Sequence, residues 1–191
     1  SDLPMPLDIA DLPKPVFGYI GVVDERIDYD LLAALADSTS GSVAIIGPST
    51  KVDPATFPKR KNLHWLGGRE YRELPAYASA FDVCLMPFAL NDATKFINPT
   101  KALEYMATDR PIVSTAIEDV VVQFHDVVNI GRTPEEFLKM CGRAAKTPNR
   151  LQTRRGLAIA ANSSWDSIVQ QLDEHVLDIV SRKRSVATDA A

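Results

Sequence analysis

Cysteine is almost absent from this chain: two in 191 residues, Cys84 and Cys141, with no CxxC spacing. Two cysteines make no disulfide framework, and Cys84 lies in the apolar run 83–86, where a small buried hydrophobe is its expected role. A reducing, cytoplasmic setting is expected on that ground. Histidine is as scarce. His64, His125 and His175 have no metal-ligand spacing, so no metal site is expected. Long apolar runs are missing too: stretches such as 43–47 and 120–122 fall far short of the ~20 residues that a membrane span needs. Residues 1–11 are acidic and proline-broken, unlike a signal peptide. Nor is there an excess of positive charge. Lys and Arg total 21 against 25 Asp and Glu, a net charge of −4, which argues against nucleic acid as a partner. Three site fingerprints are also missing. The loop at 21–26 is not GxGxxG, and neither GxxxxGK[ST] nor GxSxG occurs, so dinucleotide, P-loop and hydrolase readings lose their best support.

What is present is an ordinary globular composition, 46% apolar and 24% charged, on a chain long enough for one α/β domain. Residues 1–15 read as an extended, proline-rich linker. Short apolar runs then recur at 16–22, 43–47, 62–66, 82–88, 111–115 and 126–130. Helical patterns at 29–37, 71–80 and 99–108 fall between them. Runs that do not alternate, separated by amphipathic helices, predict a parallel sheet covered on both faces. From residue 133 the pattern is helical only, with helices expected over 134–146, 149–162 and 164–181. Trp165, Ile168, Leu172, Val176 and Ile179 share one stripe of the last helix. Residues 182–191 read as a frayed basic tail. The domain is therefore expected over 16–181.

In a parallel sheet, ligands sit outside the carboxyl ends of the strands, which makes the post-strand loops the candidates. The most informative stretch is 91–115, where a polar loop passes through Asn98, Pro99, Thr100 and Lys101 into a helix. Free backbone N–H groups in a first turn can hold a phosphate, with a hydroxyl from Thr100 and a charge from Lys101. Glu104, further along that helix, could accept both hydroxyls of a ribose. The same residues allow a plainer account, in which Asn98 caps the helix and Glu104 solvates it. The residues alone do not separate the two.

The run Pro99-x-Lys101-x-x-Glu104-Tyr105-Met106-Ala107, followed by Arg110-Pro111-Ile112-Val113-Ser114, resembles the signature of retaining glycosyltransferases with the two-domain GT-B architecture, in the group 1, family-4-like branch. Other marks follow in the same order. Residues 62–67, NLHWLG, resemble that family's N-(V/I)-x-(F/W)-L-G strand. Glu73-Leu74-Pro75-Ala76-Tyr77, then residues 81–87, FDVCLMP, and Ser164-Trp165-Asp166 match further motifs. The resemblance covers roughly residues 16–180 and concerns the C-terminal, donor-binding half. It implies an α/β, Rossmann-like parallel sheet flanked by helices, strand order 3-2-1-4-5-6, with C-terminal helices. It also implies that an acceptor-binding domain lies outside this chain, and with it the catalytic residues.

The roles implied by the resemblance are specific. Glu104 matches the second glutamate of an E-x7-E motif, which holds the ribose. Asn98, Pro99 and Thr100 fall where backbone amides meet the diphosphate, and Gly21 matches the first glycine-containing loop. Leu66 and Gly67 match the strand end that bonds the base. Two departures stand out. Phe96 occupies the place of the first glutamate, which contacts the donor sugar. The family's Arg and Lys pair at the phosphates is not evident, and Arg26 or Lys101 is expected to supply that charge. The function implied is donor binding in a glycosyltransferase of polysaccharide or glycolipid synthesis. A UDP-sugar is the expected donor, with no separate cofactor, and the full-length protein has room for peripheral membrane association. A GT-B-like epimerase or mutase-associated module, and a non-catalytic nucleotide-sugar-binding module, are the alternatives.

Overall fold

A computed structural model describes residues 4–163 except Ala93, Lys95, Phe96, Asn98 and Pro99. The helix expected over 164–181, the tail, and the site candidates Phe96, Asn98 and Pro99 lie outside the described residues. Among the described residues, six strands form one sheet: β1 (Val16–Ile20), β2 (Ser42–Ile46), β3 (Leu63–Gly67), β4 (Val83–Met86), β5 (Ile112–Thr115) and β6 (Asn129–Gly131). Every pairing is parallel and the order is β3-β2-β1-β4-β5-β6. The order reverses beside β1, so the crevice between β1 and β4 is the place where post-strand loops diverge.

All residues of β1, β2, β4 and β5 are buried, which is why these strands read as continuous apolar runs. Edge strand β3 is half-exposed beyond Leu63. Crossover helices α2 (Tyr29–Ser38), α3 (Leu74–Ala80), α4 (Thr100–Met106) and α5 (Glu118–Phe124) cover the faces together with α6 (Pro134–Lys146), which comes after β6, and α7 (Arg150–Asn162) follows. Local signals start several of them. Asp28 caps α2 through the Leu31 N–H at 2.9 Å. Thr133 caps α6 through the Glu136 N–H at 3.2 Å, with Pro134 in the first turn and Arg143 and Lys146 in the last. Asn149 caps α7.

The last strand is Asn129–Gly131 where 126–130 was expected, and two helical elements also differ from the sequence-based expectation. The stretch expected to be extended contains a single helical turn, α1 (Leu7–Ala10), whose Ile9 is buried in the core. Helix α5 was not expected, because Val120, Val121 and Val122 form a β-branched run of poor helix propensity. Tertiary burial of Val120 and Phe124 outweighs that preference.

Candidate functional site

The loop leaving β1 is stitched to its neighbours on both sides. Toward β2, the Val23 N–H donates to the Pro48 carbonyl at 2.9 Å and the Thr50 N–H to the Val23 carbonyl at 3.1 Å. Toward β4, the Asp28 N–H donates to Pro87 and the Ala89 N–H to Arg26, each at 2.9 Å. Three loops at the carboxyl edge thus form one fixed platform. Its centre depends on two glycines. Gly21 has φ +155° and donates its N–H to the Ile46 carbonyl at 2.8 Å. Gly47 has φ +152°, and a Cβ there would stand 1.7 Å from the Gly21 carbonyl oxygen. No side chain fits between the ends of β1 and β2.

Helix α4 is fastened to the end of β1 by two side chains. The Ile20 N–H, beyond the last β1–β4 pair, donates to the Tyr105 hydroxyl at 2.8 Å, and Tyr105 is fully buried. Lys101 donates from Nζ to the Ile20 carbonyl. Its ammonium also lies 5.4 Å from the Tyr19 ring centroid and 5.9 Å from that of Tyr105. Burial pushes the Lys101 pKa below the ordinary lysine value, and nearby Arg26 adds to the lowering, while Glu104 at 4.0 Å opposes it. A cation is therefore held, half-hidden, at the mouth of the β1–β4 crevice.

That mouth is a cavity of about 320 Å³, into which Gly21, Arg26, Thr100, Lys101 and Glu104 all face. Five of the ten sequence-derived candidates therefore converge on one hollow. Arg26 is not a free cation there. Its guanidinium grips Asp24 in a fork, with Nε 3.0 Å from each carboxylate oxygen and Nη2 2.6 Å from Oδ2. Burial raises the pKa of Asp24, but the Arg26 hydrogen bonds and charge outweigh it and hold the carboxyl below its usual range. Arg26 in turn has its pKa raised by Asp24. Lys101, whose Glu104 partner stands at 4.0 Å against 2.6 Å for Arg26 and Asp24, is then the less tightly paired cation of the two.

A second cavity, about 280 Å³ and largely apolar, adjoins α4 on its other side, between Ile20, Tyr71, Leu74, Ala78, Tyr105 and Glu104. Glu104 borders both hollows, and its side chain is 58% exposed, so it anchors no part of the core. Leu66 and Gly67 line neither one. Ile45 pairs with Trp65 and Ile46 with Gly67, so Leu66 bulges from the β3 ladder. The Gly67 carbonyl already accepts the Gly47 N–H at 2.9 Å.

The sequence reading missed Tyr105 and Tyr19 as parts of this site, although Tyr105 stood inside the motif that singled out Glu104. It also missed Asp24, whose spacing of two residues from Arg26 carried a detectable signal. Cys84 and Cys141 are free and buried, and His64 sits in β3 as expected. Among the described residues, no three His, Cys, Asp or Glu side chains gather as metal ligands do, and no helix is long and apolar enough to cross a membrane.

The doubly covered parallel sheet, with its glycine-lined, cation-bearing crevice at the switch point, is consistent with one half of a GT-B fold. Residues 14–146 match the family described as glycosyl transferases group 1, and the chain belongs to that family. It is 20% identical over 166 residues to TuaH of Bacillus subtilis, a protein named as a glycosyltransferase of teichuronic acid biosynthesis; the match spans 82% of this chain and 42% of that one. Among solved structures, sucrose-phosphate synthase from Thermosynechococcus elongatus superposes with a TM-score of 0.67 at 18% identity, over 91% of this chain and 47% of the other. Anabaena HepE, solved in complex with UDP-glucose, gives 0.67 at 15%, over 90% and 50%. The chain thus spans about half the length of the proteins it matches.

Proposed function

We propose that this chain is the donor half of a retaining glycosyltransferase, holding a nucleoside diphosphate sugar at the carboxyl edge of its sheet. The observation that carries the reading is the place of Glu104 between two hollows of opposite character. A nucleotide presents phosphate, ribose and base in that order. The hollow with Lys101, Gly21 and Thr100 suits the diphosphate, Glu104 suits the ribose hydroxyls, and the hollow with Tyr71 and Leu74 suits a base. A carboxylate beside a phosphate site is otherwise unfavourable, and accepting hydroxyl hydrogen bonds gives it a use.

In sugar transfer, negative charge grows on the departing diphosphate. A preplaced, partly desolvated ammonium at Lys101 stabilises that charge without reorganising at the moment of reaction. Helix α4 has seven residues, so its dipole is a minor contributor beside the lysine. Gly21 contributes room: its N–H is held by the Ile46 carbonyl, and its lack of a side chain leaves space beside Lys101 for the same oxygens, while Arg26 acts by fixing the loop through Asp24. The acceptor and the catalytic groups that position it are assigned to a second domain outside this chain, in a polysaccharide- or glycolipid-forming enzyme of the cytoplasm. UDP-sugars are the donors to try first, because the similarly folded HepE was solved with UDP-glucose.

Thermal melting against UDP-, GDP-, ADP- and CDP-sugars tests the reading. A ligand at 100 times its Kd adds about 2.7 kcal/mol. At the usual entropy for a domain of this size that raises Tm by roughly 5–10 °C. A rise with at least one sugar nucleotide is expected, and a flat panel contradicts the proposal.

A further inference from the structure

The turn that presents Tyr71 to the apolar hollow is fixed from an unexpected direction. Arg69, two residues earlier, donates from Nη2 to Asp8 Oδ2 at 2.6 Å, from Nε to the Tyr77 hydroxyl at 2.7 Å, and from Nη1 to the Gly68 carbonyl at 2.8 Å. The Tyr77 hydroxyl donates to the same Asp8 carboxylate, 2.9 Å from Oδ1 and 3.0 Å from Oδ2. Every member thus binds the other two. The Arg69 cation also lies 5.5 Å from the Tyr77 ring centroid. Beyond Arg69, Glu70 and Glu73 cap each other's backbone reciprocally, with the Glu70 N–H 2.9 Å from Glu73 Oε2. Tyr71 therefore stands 83% exposed on a turn that is clamped on both sides.

Asp8 belongs to α1, ahead of the first strand, and is 61 residues from Arg69. Burial raises its pKa, but the Arg69 and Tyr77 hydrogen bonds outweigh that, so the carboxyl stays ionised at neutral pH. The ion pair is part-buried, at 26% and 35% exposure for the Arg69 and Asp8 side chains. A pair of this kind is a modest source of stability, but it dictates geometry well.

We infer that Asp8, Arg69 and Tyr77 are positioning residues for the base-side hollow, and that they couple the segment ahead of β1 to occupancy of that hollow by a nucleoside. The inference rests on the nucleotide reading above. A fixed Tyr71 turn offers an ordered wall to a planar ring; a released one must be ordered at the ligand's expense. Coupling is reciprocal, so a bound nucleoside also steadies α1.

Calorimetric titration of the whole chain with UDP, uridine and inorganic pyrophosphate tests this, for the wild type and for Asp8→Asn and Tyr77→Phe. Loss of about fivefold in affinity for UDP and uridine is expected in both variants, the scale of one hydrogen bond, with pyrophosphate unchanged. In the wild type, UDP should also slow amide exchange at residues 7–10, and in Asp8→Asn it should not. A general structural defect would weaken all three ligands together, and that result overturns the inference. Unchanged uridine and UDP affinity in both variants overturns it too, while leaving the nucleotide reading intact. A wild type that binds none of the three ligands overturns both.

Discussion

Both edges of the sheet carry hollows bordered by lysines, and the two differ in how those lysines are held. The amino-edge hollow is the larger, about 750 Å³, lined among others by Lys14, Asp82, Lys139, Gly142 and Lys146. Lys14 there is paired with Asp82 at 3.2 Å and is half exposed. Lys139 and Lys146 extend into solvent from α6. The carboxyl-edge hollow has less than half that volume, and both Lys14 and Lys101 donate to a backbone carbonyl, yet Lys101 is only 21% exposed and its carboxylate partner, Glu104, stands at 4.0 Å. Volume records only missing atoms. On the proposed reading, a desolvated cation whose paired carboxylate stands off at 4.0 Å serves an anion.

The glycines sharpen the comparison most. Gly47→Ala pushes a methyl into the Gly21 carbonyl at a φ that side chains rarely adopt, and should cost about 3–5 kcal/mol. Gly142, in the interior of α6 and bordering the amino-edge hollow, has no described atom within 4 Å of the Cβ it lacks. Gly142→Ala should therefore stabilise the chain, by about 0.5–1 kcal/mol. Urea unfolding of both variants checks the pair. The contrast would fail if Gly47→Ala unfolded like the wild type, since the platform would then not depend on that close approach.

Next in size is the charge contrast. Lys101→Met should weaken binding of UDP by roughly 1.5–3 kcal/mol, the range for a charged hydrogen bond, whereas Lys139→Met should leave it unchanged. Titration calorimetry measures both. A related, smaller effect follows from the lowered Lys101 pKa. Binding of the anionic diphosphate favours the charged ammonium and raises that pKa. At alkaline pH, above the free-state value, binding should take up protons, and apparent affinity should fall as pH rises further. The uptake, read from the buffer dependence of the binding heat, should vanish in Lys101→Met.

Much of this architecture was legible in the sequence, for identifiable reasons. Buried parallel strands such as residues 43–46 are apolar without alternation, and Pro134 and Asn149 mark helix starts by local chemistry. The strand order came from resemblance, since no local signal sets it. Contacts between distant residues were invisible. Lys101 and Tyr105 meet Ile20 across more than 80 residues, and Asp8 meets Arg69 across 61. Motif spacing picked out Lys101 and Glu104 but could not show that Arg26 is already gripped by Asp24. It could not show that the Gly67 carbonyl accepts the Gly47 N–H, either. Helix α5 was hidden for a different reason: its sequence prefers a strand, and only packing makes it helical.

The central claim is that Glu104 divides a phosphate hollow from a nucleoside hollow, and comparing UDP with inorganic pyrophosphate on Glu104→Gln tests it most directly. The substitution keeps the shape and weakens hydrogen-bond acceptance, and at 58% exposure it should leave Tm nearly unchanged. Calorimetry should show UDP affinity falling by roughly 1–3 kcal/mol while pyrophosphate affinity holds or rises slightly, because a negative charge has left the edge of the phosphate hollow. Unchanged UDP affinity with a lowered Tm would contradict the account, making Glu104 an anchor of α4 and removing the ribose from the site.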